Sequence, residues 1–136
     1  MNYFNKFCEE LNARDCYYTC TINDNGENRI NIGLCGDYFP GLMFYIDFDD
    51  DSAEIHCDNI CEFTPEREQN VMEGLNALNC RYRWIKFSTD GESKVRVTMD
   101  IETIEENSTE VLARALYKMN DMIDLLYPTI MGMLQD

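Results

Sequence analysis

One histidine and seven cysteines are the residues of this 136-residue chain best suited to metal binding or nucleophilic chemistry. His56 and Cys57 are adjacent, Cys61 follows Cys57 by four residues, and Cys16 and Cys20 repeat that spacing. Imidazole and thiolate groups are common ligands of zinc. However, the chain has no Cys-x-x-Cys pair, and strand alternation turns Cys20 and Cys57 inward with the apolar residues. We therefore predict semi-buried thiols that pack as small hydrophobic groups, with no bound metal and no cofactor.

Any Ser–His or Cys–His catalytic pair would have to use His56, because it is the only histidine. Strand alternation places His56 on the outward side beside Glu54 and Asp58, which predicts an exposed surface histidine. The glycines are too dispersed to form a phosphate-binding loop. The sequence therefore indicates no catalytic residues, and we predict that the protein is not an enzyme.

An acidic run at residues 47–54 has the closely spaced carboxylates that a calcium ion prefers. A calcium-binding loop of the helix–loop–helix type needs glycine at its sixth position and a bidentate glutamate at its twelfth. Ser52 and Asp58 occupy those positions here. The mismatch favours a solvated turn between two strands.

Five of the eleven basic residues fall within one short segment of an otherwise acidic chain: Arg81, Arg83, Lys86, Lys94 and Arg96. Alternation of the predicted strands places Trp84 and Lys86 on one outward side. Lys94 and Arg96 fall on that same side, so an indole ring would lie among cations. This surface predicts a binding site for an acidic or extended peptide, or for the acidic surface of a second copy. The alternative is that the cations only neutralise neighbours such as Asp100, because surface ion pairs contribute little stability.

The C-terminal tail carries more apolar residues than one narrow helical stripe needs: Leu125, Leu126, Tyr127, Ile130, Met131, Met133 and Leu134. One interpretation is that part of the tail is exposed as a second partner-binding surface that includes Tyr127, Ile130 and Met131. The other is that Pro128 kinks the helix, or ends it and starts another, so that the tail folds over a sheet edge and is buried.

The residues that position these groups follow two clear periodicities. Alternating apolar and polar residues predict strands at residues 18–22, 30–34, 43–48, 53–58, 82–88 and 95–101. Apolar residues three and four apart predict helices at residues 2–13, 64–80 and 112–126. We expect Thr64 to cap the second helix, Asp90 and Gly91 to form a hairpin turn, and Asn107 or Ser108 to cap the last helix.

The order helix, hairpin, hairpin, helix, hairpin, helix predicts an α+β fold. Antiparallel strands with one solvent-exposed face predict a twisted antiparallel sheet of about six strands, with the helices packed mainly on one face. The length suits one core, so residues 1–136 are expected to form a single domain.

The formal net charge of −15 would repel polyanions, so we expect no nucleic-acid partner and no membrane partner. No apolar run is long enough for a membrane span, and the acidic first fifteen residues do not have the apolar core of a signal peptide. Together with an odd, scattered set of cysteines, these features predict a cytoplasmic protein with reduced thiols.

The Leu-Asn-Ala-Leu-Asn step at residues 75–79, the basic and aromatic hairpin after it, and the long last helix reaching Tyr127 and Pro128 together resemble the YbjN family. That family is similar in fold to the type III secretion chaperones. The resemblance implies a twisted antiparallel sheet with helices, frequent dimer formation, and a binding or regulatory role without catalytic residues.

We therefore predict a non-enzymatic, cytoplasmic protein-binding module, chaperone-like or regulatory, that forms a homodimer and holds a polypeptide on its sheet face. The alternative from another class is a small-molecule or metal- and redox-sensing module that uses its cysteines.

Overall fold

The computed structural model describes residues 2–91, 93–103 and 109–135. Within these ranges, three helices pack against one six-stranded antiparallel sheet. The helices are α1 (Tyr3–Ala13), α2 (Glu68–Arg81) and α3 (Thr109–Gly132). The strands are β1 (Thr19–Ile22), β2 (Asn28–Leu34), β3 (Leu42–Phe48), β4 (Ser52–Glu62), β5 (Lys86–Thr89) and β6 (Lys94–Glu102). A short 3₁₀ turn, Pro65–Arg67, precedes α2.

The strands lie in the order β1-β2-β3-β4-β6-β5. The first four are sequential neighbours, whereas α2 carries the chain to the far edge of the sheet, where β5 forms, and β6 returns beside β4. The register places Ile30 opposite Ile46 and Ile46 opposite Ile55. Opposed residues of antiparallel strands point to the same face. One face of the sheet is therefore continuously apolar.

The helices bury that apolar face. The fully or almost fully buried side chains that they contribute include Phe7, Leu11, Val71, Leu75, Leu112, Leu116, Met119 and Ile123. Burial of one large apolar side chain contributes about 1.5–3 kcal/mol. The 11-residue α1 is too short to be stable alone, so docking through Phe7 and Leu11 holds it in place.

Asn79 of α2 closes the outer edge of β5. Its Nδ2 donates a hydrogen bond to the Phe87 carbonyl oxygen at 2.8 Å, and its Oδ1 accepts one from the Phe87 N–H at 2.7 Å. The side-chain amide thus makes the two hydrogen bonds that a further strand would make. An edge strand with unpaired backbone groups invites pairing with another chain. The last asparagine of the Leu-Asn-Ala-Leu-Asn step therefore protects this edge.

The predicted α+β class and the predicted order of helices and strands are confirmed. One strand is shorter than predicted, because β5 begins at Lys86 and not at residue 82. Tyr82 still belongs to the end of α2, where its N–H donates to the Leu78 carbonyl oxygen at 2.9 Å. Thr64 was predicted to cap the second helix, but a 3₁₀ turn follows it, α2 begins only at Glu68, and the Thr64 side chain makes no capping hydrogen bond.

Of the two alternatives predicted at Pro128, a kink or a stop, the stop does not occur, since α3 continues through Pro128 to Gly132. Gly91 has the positive φ, 85°, expected for the turn between β5 and β6. The predicted cap at Asn107 or Ser108 lies outside the described residues. None of the described helices is both long enough and apolar enough to cross a membrane.

Candidate functional site

The face of the sheet opposite the helices, called the open face below, carries the polar side chains of the central strands. Asp47 of β3 lies opposite Arg29 of β2 on one side and opposite Glu54 of β4 on the other. Tyr45 is opposite His56 in the same pair of strands. Register therefore gathers residues that are far apart in sequence into one polar site.

Five residues of the open face form a continuous chain of ion pairs, called the charge network below: Arg29, Asp47, His56, Asp58 and Arg96. Arg29 binds Asp47 with two hydrogen bonds, from Nε to Oδ1 at 2.6 Å and from Nη2 to Oδ2 at 2.9 Å. Asp47 Oδ2 also lies 2.7 Å from Nε2 of His56. The other ring nitrogen of His56, Nδ1, is 2.6 Å from Asp58 Oδ1, and that oxygen lies 3.5 Å from Arg96 Nη2. With His56 protonated, positive and negative charges alternate along the whole network.

His56 is buried, so the prediction of an exposed histidine is wrong. Its side chain does point to the open face, as alternation predicted, but only 4% of the residue is exposed. The Tyr45 ring lies beside it with a centroid separation of 5.4 Å. The Arg29 guanidinium lies over that tyrosine ring, 4.9 Å from its centroid. Long neighbours on adjacent strands therefore cover a residue that faces away from the helices.

The network favours the charged forms of Asp47, His56 and Asp58. Burial alone would raise the pKa of Asp47, but hydrogen bonds from Arg29 and His56 outweigh it and lower the pKa to about 2. Burial alone would lower the pKa of His56, but hydrogen bonds to Asp58 and Asp47 outweigh it and raise the pKa. The hydrogen bond from His56 lowers the pKa of Asp58. An imidazolium that donates from both nitrogens fits this site.

The structure separates Trp84 from the basic residues that were predicted to share its surface. Lys86 is opposite Thr98, and the alternation of β6 puts Lys94 and Arg96 on that same open face. Trp84 lies outside β5, and the Lys118 Nζ of α3 is 3.2 Å from its ring centroid. The prediction that Trp84 joins the open-face cations is therefore wrong, because the residues before Lys86 leave the strand ladder.

The C-terminal tail packs onto the molecule. Ile130 is fully buried, so it is not available to a partner of the folded chain. Tyr127 stacks on Phe39 with a centroid separation of 5.9 Å, and Met131 is half-buried. The loop that holds Phe39 is attached to α3, since the Tyr38 N–H donates to Asp124 Oδ1 at 2.7 Å. These contacts favour the interpretation in which the tail is buried. The tail contacts the loop that holds Phe39, and Pro128 does not end the helix.

The cysteines do not join His56. All seven are free thiols. Cys57 points to the apolar face, and burial raises its pKa to about 11. Burial also raises the pKa of Cys61 to about 11. Cys20 was predicted to point inward with the apolar set, as one of the semi-buried thiols. It lies opposite the buried Ile30 but is exposed, because β1 is an edge strand.

Sequence reasoning missed Arg29 and Asp47 as members of the site. Both occupy alternate polar positions of strands whose other face is apolar, which was the available signal. Their meeting with His56 depends on two registers, between β2 and β3 and between β3 and β4. Alternation assigns a face to each residue but leaves the register open.

A set of paired charges on the sheet face opposite the described helices is suited to recognising a charged group, which is compatible with a binding or regulatory module. Residues 40–131, more than half of the chain, match the model of the YbjN family, described as "Putative bacterial sensory transduction regulator". The chain therefore belongs to the YbjN family, as the resemblance predicted. No curated protein matches the chain, and no solved structure does. The matched segment contains most of the charge network, whereas Arg29 precedes it.

Proposed function

We propose that this chain is a non-enzymatic regulatory module, chaperone-like in its action, that binds an acidic, extended segment of another polypeptide. The observation that carries the proposal is the group of cations on the open face at its β5–β6 end: Lys86, Lys94 and Arg96. They stand out in a chain with a net charge of −15. The description of the family as a regulator supports a binding role over a catalytic one.

The segment would lie across the open face and not along the edge of β5. Asn79 already occupies the backbone N–H and carbonyl of Phe87 at that edge. Side-chain recognition by Lys86 and Lys94 remains available, because Lys86 is exposed and Lys94 is half-buried. Complementary charges raise both the association rate and the specificity of such a complex.

A short fluorescent peptide of alternating glutamate and valine is a suitable probe, with binding followed by fluorescence anisotropy. The double variant Lys86→Glu/Lys94→Glu should bind at least about tenfold more weakly, which corresponds to about 1.4 kcal/mol. The matched control is Lys6→Glu/Arg14→Glu, which changes the net charge equally on α1 and at the residue that ends it. Wild-type protein that does not bind the peptide, or equal weakening in the two variants, would contradict the proposal.

We also propose that the working form is a homodimer, formed through the exposed stripe of α3. Val111 and Leu125 on this stripe are 42% and 61% exposed. In a two-fold antiparallel pair of α3 helices centred near Lys118, Val111 of one copy would meet Leu125 of the other. Arg114 would meet Asp121 in the same arrangement. This self-complementary pattern of apolar and charged positions is what a symmetric dimer needs.

Sedimentation equilibrium of the full chain tests the dimer. Arg114→Glu should weaken association, because it opposes two carboxylates across the axis. Arg114→Glu/Asp121→Arg exchanges the two charges at constant composition and should restore association. A wild-type monomer, or a double variant no better than the single one, would exclude this interface.

We propose a cytoplasmic location, supported by seven cysteines that are all free thiols. Disulfides are rare in the reducing cytoplasm. Alkylation of freshly isolated protein should modify every thiol once the chain is unfolded, and a protected pair would argue for an oxidising compartment.

A further inference from the structure

Three carboxylates lie in one row across the centre of the open face. Asp47 of β3 is opposite Glu54 of β4, and Glu54 is opposite Asp100 of β6. Like charges directly opposite one another destabilise a sheet. Arg29 compensates Asp47, but the side chains of Glu54 and Asp100 make no hydrogen bond or ion pair with any residue that the structure describes. The row therefore has an excess of negative charge that the described residues do not neutralise.

The imidazole of His56 lies beside this row and is held in a fixed orientation. One ligand atom each from Asp47, Glu54 and His56 can be chosen so that all three lie within 4.8 Å of one another. Asp58 holds the opposite ring nitrogen, Nδ1, at 2.6 Å. A carboxylate on the far nitrogen is the usual support of a histidine that binds a metal, since it fixes the ring and increases its basicity.

We propose that Asp47, Glu54 and His56 form a binding site for a divalent transition-metal cation, with Zn²⁺ as its strongest common occupant. The ligands would be Nε2 of the imidazole and one oxygen from each carboxylate, with water completing the coordination. A mixed nitrogen and oxygen set suits zinc, manganese and iron better than calcium. Among these divalent ions, zinc has the highest intrinsic affinity for such ligands.

The ion would occupy the position of the proton that His56 shares with Asp47. Asp47 Oδ2 lies 2.7 Å from Nε2 and also accepts a hydrogen bond from Arg29 Nη2 at 2.9 Å, whereas Oδ1 accepts one from Arg29 Nε. Metal binding therefore replaces one hydrogen bond and leaves the Arg29 Nε bond in place. Cys57, the neighbour of His56, points to the apolar face and contributes no ligand. The site thus differs from the cysteine-based metal sensor considered from sequence.

The test is calorimetric titration of the metal-free full chain with Zn²⁺, followed by the absorption spectrum of the Co²⁺ form. We expect one ion per chain and a cobalt spectrum without the near-ultraviolet band of a thiolate ligand. The key variant is Glu54→Gln, because this side chain has no partner among the described residues and its loss should not unfold the protein. The variant should bind Zn²⁺ at least about tenfold more weakly.

Glu62→Gln is the matched control, since it lies on the same strand outside the site. The control should bind Zn²⁺ as wild type does. Without metal, Glu54→Gln should be as stable as wild type or more stable, because repulsion between carboxylates is removed. At one fixed Zn²⁺ concentration, wild type and the control should gain more thermal stability than Glu54→Gln. Absence of zinc binding, a thiolate band in the cobalt spectrum, or equal affinity in the two variants would overturn the site. None of these outcomes depends on peptide binding or dimer formation, so this inference and the proposed function can fail separately.

Discussion

Replacement of Asn79 by alanine tests whether the side-chain amide holds β5 in the sheet. The change removes both hydrogen bonds to Phe87, at 2.7 and 2.8 Å, and leaves a partly buried backbone N–H without its partner. An unsatisfied buried donor costs about 1–3 kcal/mol, and the lost carbonyl contact adds to it. Alanine recovers about 0.5 kcal/mol through its higher helix propensity. We expect a net loss of about 2 kcal/mol in the free energy of unfolding.

The matched control is Asn76→Ala, in the same helix and the same short sequence step. Asn76 is exposed, and its side chain makes no hydrogen bond with the described residues. Replacing Asn76 by alanine brings the same gain in helix propensity without the loss of any side-chain hydrogen bond, so it should stabilise the protein by about 0.5 kcal/mol. The difference between the two variants therefore isolates the contribution of the two hydrogen bonds.

Urea unfolding is the assay, with the midpoint and the slope recorded for each variant. The slope should stay constant, since neither change alters the surface exposed on unfolding. Asn79→Asp is a further check: it keeps the acceptor for the Phe87 N–H but places a carboxylate oxygen against the carbonyl. The free energy of unfolding of this variant should approach that of wild type as the pH falls, because the protonated carboxyl group becomes a hydrogen-bond donor. Equal stability of the Asn79→Ala and Asn76→Ala variants would refute the role assigned to Asn79.

Further perturbations address the charge network and the C-terminal tail. In metal-free protein, the lowered pKa of Asp47, about 2, contributes stability that is present above the unfolded value near 3.8 and is lost as the pH falls through about 2. The raised pKa of His56 contributes stability at pH values below the ordinary pKa of histidine, and this stability is lost as the pH rises through the pKa of His56 in the folded protein. Chemical denaturation at a series of pH values should show both of these changes in the free energy of unfolding. Ile130→Ala should cost about 2–5 kcal/mol in thermal or urea unfolding of the monomer, because Ile130 is fully buried; a loss confined to partner binding would contradict its place in the core. Gly36→Ala should destabilise the protein by about 1–3 kcal/mol, since the added Cβ would collide with the Asp124 carboxylate, and wild-type stability would show that the loop yields freely.

The secondary structure was predictable because its periodicities are local. Pleating imposes a period of two on each strand, and the apolar stripe of α3 follows from its helical spacing. The predictions were wrong where an alternating pattern of apolar and polar residues continues beyond the end of a strand. Residues 82–85 alternate like a strand, but the N–H of Tyr82 is used by α2, so β5 begins four residues later and Trp84 meets Lys118.

The site was predictable only in part, since its members come from separate strands. Alternation correctly placed His56 on the polar face, and it did the same for Lys86, Lys94 and Arg96. It could not predict that Tyr45 would cover His56. That burial depends on lateral neighbours, which the register decides.

The sequence by itself determined the α+β class, the order of the elements, the apolar face of each strand and the family to which the chain belongs. All of these follow from patterns within a few residues, or from the match over residues 40–131. Only the tertiary structure decided that Arg29, Asp47 and His56 meet, and that Ile130 is buried. A strand pattern fixes which side a residue faces, but the chemical partners of that residue are set when separate strands and loops come into register.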